Sequence, residues 1–232
     1  DTAWGLSFII VAHVSFWMQK EHSLLQWLVL AMVTIWGLRL FTHILTRTLG
    51  RAEDLRYQAV RKSTEKQRSA VLASYLRIYV LQGFLALLIA TPLILINALK
   101  PNDLSAWSPI GVAVWAVGFF FEVVADRQLK TFLSQKHNEG RLMTGGLWKY
   151  SRHPNYFGES LLWWGIFGIA LTLEGGWTSF FGPLLLTYLL LKISGIPPAE
   201  RLMKKLPGFE DYKSRTSAFV PWIPKGKHVP DS

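Results

Sequence analysis

Long, nearly uncharged apolar runs dominate this sequence, and they limit the folds open to it more than any other feature. Six can be marked, at residues 2–18, 24–46, 74–97, 109–127, 156–173 and 177–195. Each is near the roughly 20 residues that a helix needs to cross about 30 Å of hydrocarbon. In lipid, backbone groups find no water, and a helix satisfies them within one segment. The pattern predicts an all-α, polytopic integral membrane bundle of six spans, forming one domain over residues 1–232. Pro92 predicts a kink in the third run, and Pro183 lies inside the sixth.

Charge sorts by loop. The formal net charge is +10, and 21 of the 25 Lys and Arg residues fall in residues 47–72, residues 127–155 and the tail from 192. With six spans these three stretches share one side, and the alternate loops hold only Lys20 and Lys100. By the positive-inside rule the basic side and the C-terminus are cytoplasmic, with a bacterial inner membrane as the expected location. The charge is therefore a topology signal rather than a nucleic-acid footprint. Eleven Trp and 14 Phe suit lipid contact and the headgroup belt. There is no Cys, which excludes a disulfide framework, a thiolate nucleophile and a cysteine zinc site. Asp1 opens a run without a basic n-region or a small-residue cleavage site, so no signal peptide is read there.

Charges inside apolar runs mark candidate sites, since each costs at least about 2.5 kcal/mol at mid-helix. Arg39, His43 and Arg47 form an i, i+4, i+8 stripe on the second run and point to a polar cavity or a bound anion. Arg77, near a helix end, reads as snorkelling to the interface. Glu122 and Asp126 place two carboxylates on one face of the fourth run. Alone they repel, so they suit ligand hydroxyl or amide groups, or a bridge to Arg39 or Arg77.

The densest polar cluster is GGLWKYSRHPNYFGE, residues 145–159. Gly145-Gly146 predicts a turn, and Pro154 fits the first turn of a helix. That helix start would seat a phosphate between Arg152 and His153, with Asn155 and Glu159 sharing one face. The plainer reading is a helix cap with interfacial aromatics. Pro197-Pro198 predicts a break after the sixth run, and VPWIPKGKHVPDS reads as irregular exposed chain. No Gly-rich strand–turn–helix motif is present, and no HExxH spacing supports a metal.

This cluster, with FEVVADRQL upstream and GFEDYKSRTSAFVPWIP downstream, resembles the steroid 5α-reductase family, and more closely its bacterial membrane-protein branch. WGLRLFTHILTR, GRAEDLRYQ and the VLQG run at 80–83 carry the resemblance further. It implies a seven-helix membrane reductase, with one helix before those visible here and an NADPH cavity open to the cytoplasm. A tail from about residue 196 would close over the cofactor. The resemblance assigns Asn155 and Glu159 to holding NADPH. Glu122, Asp126, Arg141, Trp148, Tyr150, Arg152, His153 and Tyr156 would line its pocket, as would His43. Glu200, Tyr212 and Arg215 belong to the covering tail. Arg39 and Gln82 fall at the reacting end. The tyrosine that polarises the substrate carbonyl in the steroid enzymes is replaced by Trp36. The accompanying glutamate falls near Asp1 and Trp4, which leaves Asp1 and Tyr79 as candidate acids. The implied reaction is reduction of a C=C bond conjugated to a carbonyl in a steroid or similar lipid enone.

Two other classes compete. RHPNYxG also resembles a motif of membrane methyltransferases that act on isoprenylcysteine or phospholipid with S-adenosylmethionine. A non-enzymatic scaffold would leave Arg39, Glu122, Asp126 and Glu159 unexplained in apolar runs.

Overall fold

The computed structural model describes residues 3–49, 76, 79–99 and 105–226. They divide between two compact units, Asp1–Leu104 and Ser105–Ser232. Apart from an isolated parallel bridge between Ser151 and Ser217, the described secondary structure is helical.

In the first unit, α1 (Ala3–Trp17) packs on α2 (Leu24–Leu49). A Cβ on Gly5 would lie 2.5 Å from the Gly37 carbonyl, so the two backbones touch where neither residue has a side chain. Phe8 and Trp36 are fully buried edge-to-face beside that contact, 5.4 Å between centroids. Ser23 and Gln26 form a capping box at the start of α2. The Ser23 N–H donates to Gln26 Oε1 at 2.8 Å, and the Gln26 N–H donates to Ser23 Oγ at 3.3 Å. Gln26 Nε2 also donates to the Asn97 carbonyl at 2.9 Å, and Asn97 Nδ2 donates to Ser15 Oγ at 2.7 Å. These bonds tie both helices to α4 (Thr91–Ala98). Pro92 stands in the first turn of α4 and not within a continuous span. The chain bends by 55° between α3 (Tyr79–Ile89) and α4.

In the second unit, α5 (Ser108–Ser134) runs antiparallel to α6 (Pro154–Ala170). Four glycines set their distance. A Cβ on Gly111 would lie 2.7 Å from the Ile169 side chain, and one on Gly165 would lie 2.5 Å from the Trp115 nitrogen. At Gly118 it would meet the Leu162 nitrogen at 2.4 Å, and at Gly158 the Glu122 nitrogen at 2.5 Å. Gly111 and Gly118 are seven apart, as are Gly158 and Gly165, so both pairs stay on one face over two turns. On its other side α6 meets α7 (Phe181–Lys192) through Thr187. The Thr187 hydroxyl lies 2.7 Å from Ser160 Oγ and accepts from Trp164 Nε1 at 3.0 Å. Two short helices follow, α8 (Ile196–Met203) and α9 (Phe209–Arg215). Pro197 and Pro198 open α8 rather than ending its predecessor, as proline in a first turn does. Pro183 likewise sits in the first turn of α7 and introduces no kink.

Among the described residues three stretches are long and apolar enough to cross a membrane: Leu24–Arg47, Ser108–Ser134 and Gly176–Met203. The count is four if the bent α3–α4 pair is one span. Of the six runs read from the sequence, the third lies partly outside the described residues, the first gives α1 with 15 described residues, and the fifth gives α6 with 17. At 1.5 Å per residue both fall short of about 30 Å. Apolar side chains turned outward on α5, such as Val117 and Phe120, are compatible with a membrane protein.

Gly158→Ala is expected to cost about 1–3 kcal/mol through overpacking, despite the better helix propensity of Ala. Gly168→Ala, whose Cβ would meet only the Gly111 Cα at 3.5 Å, should be close to neutral. Thermal unfolding in detergent distinguishes them, and equal midpoints would contradict the packing described.

Candidate functional site

The glycine contact between α5 and α6 sets Asn155 beside Asp126, with Glu122 and Glu159 one turn along each helix. Asn155 Nδ2 donates to Asp126 Oδ1 at 3.0 Å. Gly158 lies against the Glu122 backbone, which sets Glu159 at the level of Glu122 one turn deeper. Glu122, Asp126 and Glu159 are all buried. Asn155 Oδ1 is buried with no hydrogen-bond partner among the described residues, a condition worth about 1–3 kcal/mol if nothing supplies a donor. The cluster is rich in acceptors and suits amide or hydroxyl donors. Among the described residues no group of His, Cys, Asp and Glu could hold a metal ion.

The loop before α6 is fixed from two sides. Gly146 has φ +58°, and a Cβ there would strike the Gln128 amide at 2.5 Å, so the Gly145-Gly146 turn depends on glycine. Gln128 Oε1 accepts from the Leu147 N–H at 3.0 Å, and Trp148 Nε1 donates to the Ala125 carbonyl at 3.1 Å. Trp148 thereby anchors the loop to α5. From the other side comes the tail. Tyr212 Oη donates to the Trp148 carbonyl at 2.5 Å. Ser151 Oγ donates to the Phe219 carbonyl at 2.7 Å, and the Trp222 N–H donates to the Tyr150 carbonyl at 2.9 Å.

Arg152 closes this strap. Its Nη2 lies 2.7 Å from the Glu200 carboxylate on α8, and its Nη1 donates to the Lys213 carbonyl at 3.1 Å and to the Thr216 carbonyl. Its own N–H donates to the Ser217 carbonyl at 2.8 Å. The guanidinium is buried and committed to protein partners. His153 stacks on Tyr156 with centroids 5.5 Å apart, and its Nε2 is 3.6 Å from Glu200. Burial lowers the His153 pKa to about 4 against the opposing pull of Glu200, so the ring is neutral at pH 7. Burial also pushes the Tyr212 phenol above its ordinary range, opposed by Arg152, which keeps it a hydrogen-bond donor.

Arg141, Tyr212 and Arg215 line a groove of about 440 Å³ between the 140–144 loop and α9. Arg215 also pairs with Asp211. Tyr150 lines a second, apolar groove with Trp222. In the first unit, Arg39 and His43 lie one turn apart on α2, both half-buried. Tyr79 is exposed on α3, and Gln82 is half-buried there. Trp36 belongs to the core. Asp1 and Arg77 lie outside the described residues.

The sequence reading overlooked Ser151, Thr216, Ser217, Phe219 and Trp222 as strap residues. The tail is irregular, as expected, but from Ser217 to Trp222 it is pinned and not free chain. No periodicity marks such contacts. The one available signal was the excess of apolar residues in SAFVPWIP.

Removing one partner of a buried ion pair costs about 3–5 kcal/mol. Arg152→Met is therefore expected to free the tail, read as faster proteolytic cleavage within residues 204–226 while α5 and α6 stay intact. Unfolded His153 takes up its proton near pH 6.5, and the folded ring does so only near pH 4. Stability from this group is thus complete above pH 6.5 and falls as the pH drops toward 4. The expected slope approaches one proton in that window, and His153→Gln should abolish it in a pH series of unfolding midpoints.

Comparison with known proteins gives one family match. Residues 1–216 match the family model described as a protein of unknown function, DUF1295. No curated protein and no solved structure matches the chain. With the match covering nearly its whole length, the chain belongs to the DUF1295 family.

Proposed function

We propose that this protein is an NADPH-dependent membrane reductase, acting on a C=C bond conjugated to a carbonyl in a steroid or similar lipid enone. In this reading all six apolar runs lie in the bacterial inner membrane, basic loops face the cytoplasm, and the cofactor cavity opens on that side. The observation that carries it is the buried acceptor cluster at the start of α6, where Asn155 is held by Asp126 with one amide oxygen unmet. The resemblance of residues 145–159 to the steroid 5α-reductases adds to it.

The residues present fit such a cofactor in two parts. Asn155, through the Oδ1 left unmet, would accept a hydrogen bond from a carboxamide or ribose donor, and the charge of Glu159, Glu122 and Asp126 beside it would exclude phosphate. Arg141 and Arg215, on one groove, supply cations for phosphate. NADPH, when bound, supplies the hydride that the β-carbon of an enone accepts. The protein then has to stabilise the enolate oxygen as charge develops, by a positioned donor. Arg39 is proposed at the reacting end, and Asp1 and Tyr79 are the proposed acids. Arg152 serves this site by holding the covering tail through Glu200, and His153 by filling the space beneath it.

A ligand that binds only the folded state raises its stability, by about 2.7 kcal/mol at a hundred times its Kd. Detergent-purified protein is expected to be stabilised by NADPH and not by S-adenosylmethionine. Asn155→Ala and Glu159→Gln should lose that stabilisation while still unfolding cooperatively. Stabilisation by S-adenosylmethionine alone would replace hydride transfer with methyl transfer. Wild-type NADPH response in both variants would remove the site assignment.

A further inference from the structure

The strap has an outward face that neither the site nor the core uses. Val220, Trp222 and Ile223 are exposed, Trp222 by 72% and Ile223 by 78% of their surface. The segment that carries them is nonetheless fixed. Its backbone is bonded through the Phe219 carbonyl to Ser151 and through the Trp222 N–H to Tyr150. Its depth is fixed too. Phe219 packs edge-on against Phe157 in the first turn of α6, 5.7 Å between centroids, and Phe157 packs against Phe121 on α5 at 5.4 Å. Phe121 belongs to a stretch long and apolar enough to cross a membrane. The same Phe121 forms one wall of an apolar groove of about 370 Å³, whose other walls are Leu147, Tyr150, Pro221, Trp222 and Ile223. The groove therefore continues the apolar outer surface of α5 onto the strap.

Charge completes the pattern. The Lys149 ammonium sits 5.8 Å above the Tyr150 ring, and Lys225 is exposed two residues after Ile223. Exposed Trp and Ile beside Lys, next to the basic loop that leads into α6, is the make-up of a segment that lies in the headgroup region of a bilayer. Rigid pinning favours that occupant, because an ordered strap presents its apolar side chains to lipid without further loss of chain entropy.

We propose that Val220–Ile223 is an interfacial lipid anchor. The tail that covers the α5–α6 site is held down by the membrane on its outer face and by Arg152 on its inner face. This rests on the membrane reading above, but not on the reductase chemistry.

The absence of Cys makes a direct test clean. Val220→Cys and Ile223→Cys, each carrying a small environment-sensitive fluorophore, are placed in nanodiscs of phosphatidylcholine and phosphatidylglycerol. Phe120→Cys on α5 is the lipid control, and Glu210→Cys, exposed on α9, is the water control. Unfolding midpoints first establish that each labelled protein is folded. The anchor predicts quenching at 220 and 223 by a nitroxide near the lipid headgroup at least about twofold above the Glu210 control, and weak quenching by iodide. Strong iodide quenching at both positions, with Phe120 still quenched from lipid, overturns the anchor and leaves the membrane reading standing. Loss of lipid quenching at Phe120 as well overturns both.

Discussion

The close approach of α5 and α6 determines where Glu122, Asp126, Asn155 and Glu159 lie. Backbone contact at Gly111, Gly118, Gly158 and Gly165 leaves no freedom in the register of the two helices. Without a hydrophobic driving force between helices in lipid, such small-residue faces supply the association through dispersion and close backbone contact. A shift of one turn would separate Asn155 from Asp126 and move Glu159 away from Glu122. The Asn155–Asp126 pair is thus a consequence of packing chosen elsewhere along the same helices.

A second constraint acts at right angles to the first. The tail returns over the loop that leads into α6, and Arg152 gathers Glu200, Lys213 and Thr216 around one guanidinium. Arg152 and His153 looked in sequence like a pair of cations waiting for a phosphate. The fold uses one as a clasp and keeps the other neutral by burial. The arginines of the 141–215 groove are the less committed cations, although Arg215 pairs with Asp211. These contacts pin the tail to the loop before α6.

Much of this was legible in the sequence. Apolar runs located α1, α2 and α6 to within a few residues but ended α5 seven residues early, and the spacing of Asn155 with Glu159 and of Glu122 with Asp126 anticipated which faces would turn inward. Pro92 anticipated the bend between α3 and α4, and Pro197-Pro198 the break after α7, though not that these prolines open the following helices. Gly111–Gly118 and Gly158–Gly165 were readable as seven-residue repeats and went unread, since glycine in an apolar run gives no hydropathy signal. The strap was the least legible part. Its bonds join Ser151 to Phe219 and Tyr150 to Trp222, pairs nearly seventy residues apart, and no local pattern encodes them. Apolar length in sequence also counts residues that the structure spends on turns, as at Ala90 and Ser194.

Hydrogen–deuterium exchange of the detergent-purified protein, with and without saturating NADPH, tests the link between packing and function most directly. The account predicts slower exchange of amides in the loop and first turn of α6, residues 144–157, and in the strap over 209–224. Residues 176–190 should be unchanged. NADPH binding that leaves 144–157 unprotected, or that protects a different part of the chain, would contradict the placement of the cofactor between α5, α6 and the tail.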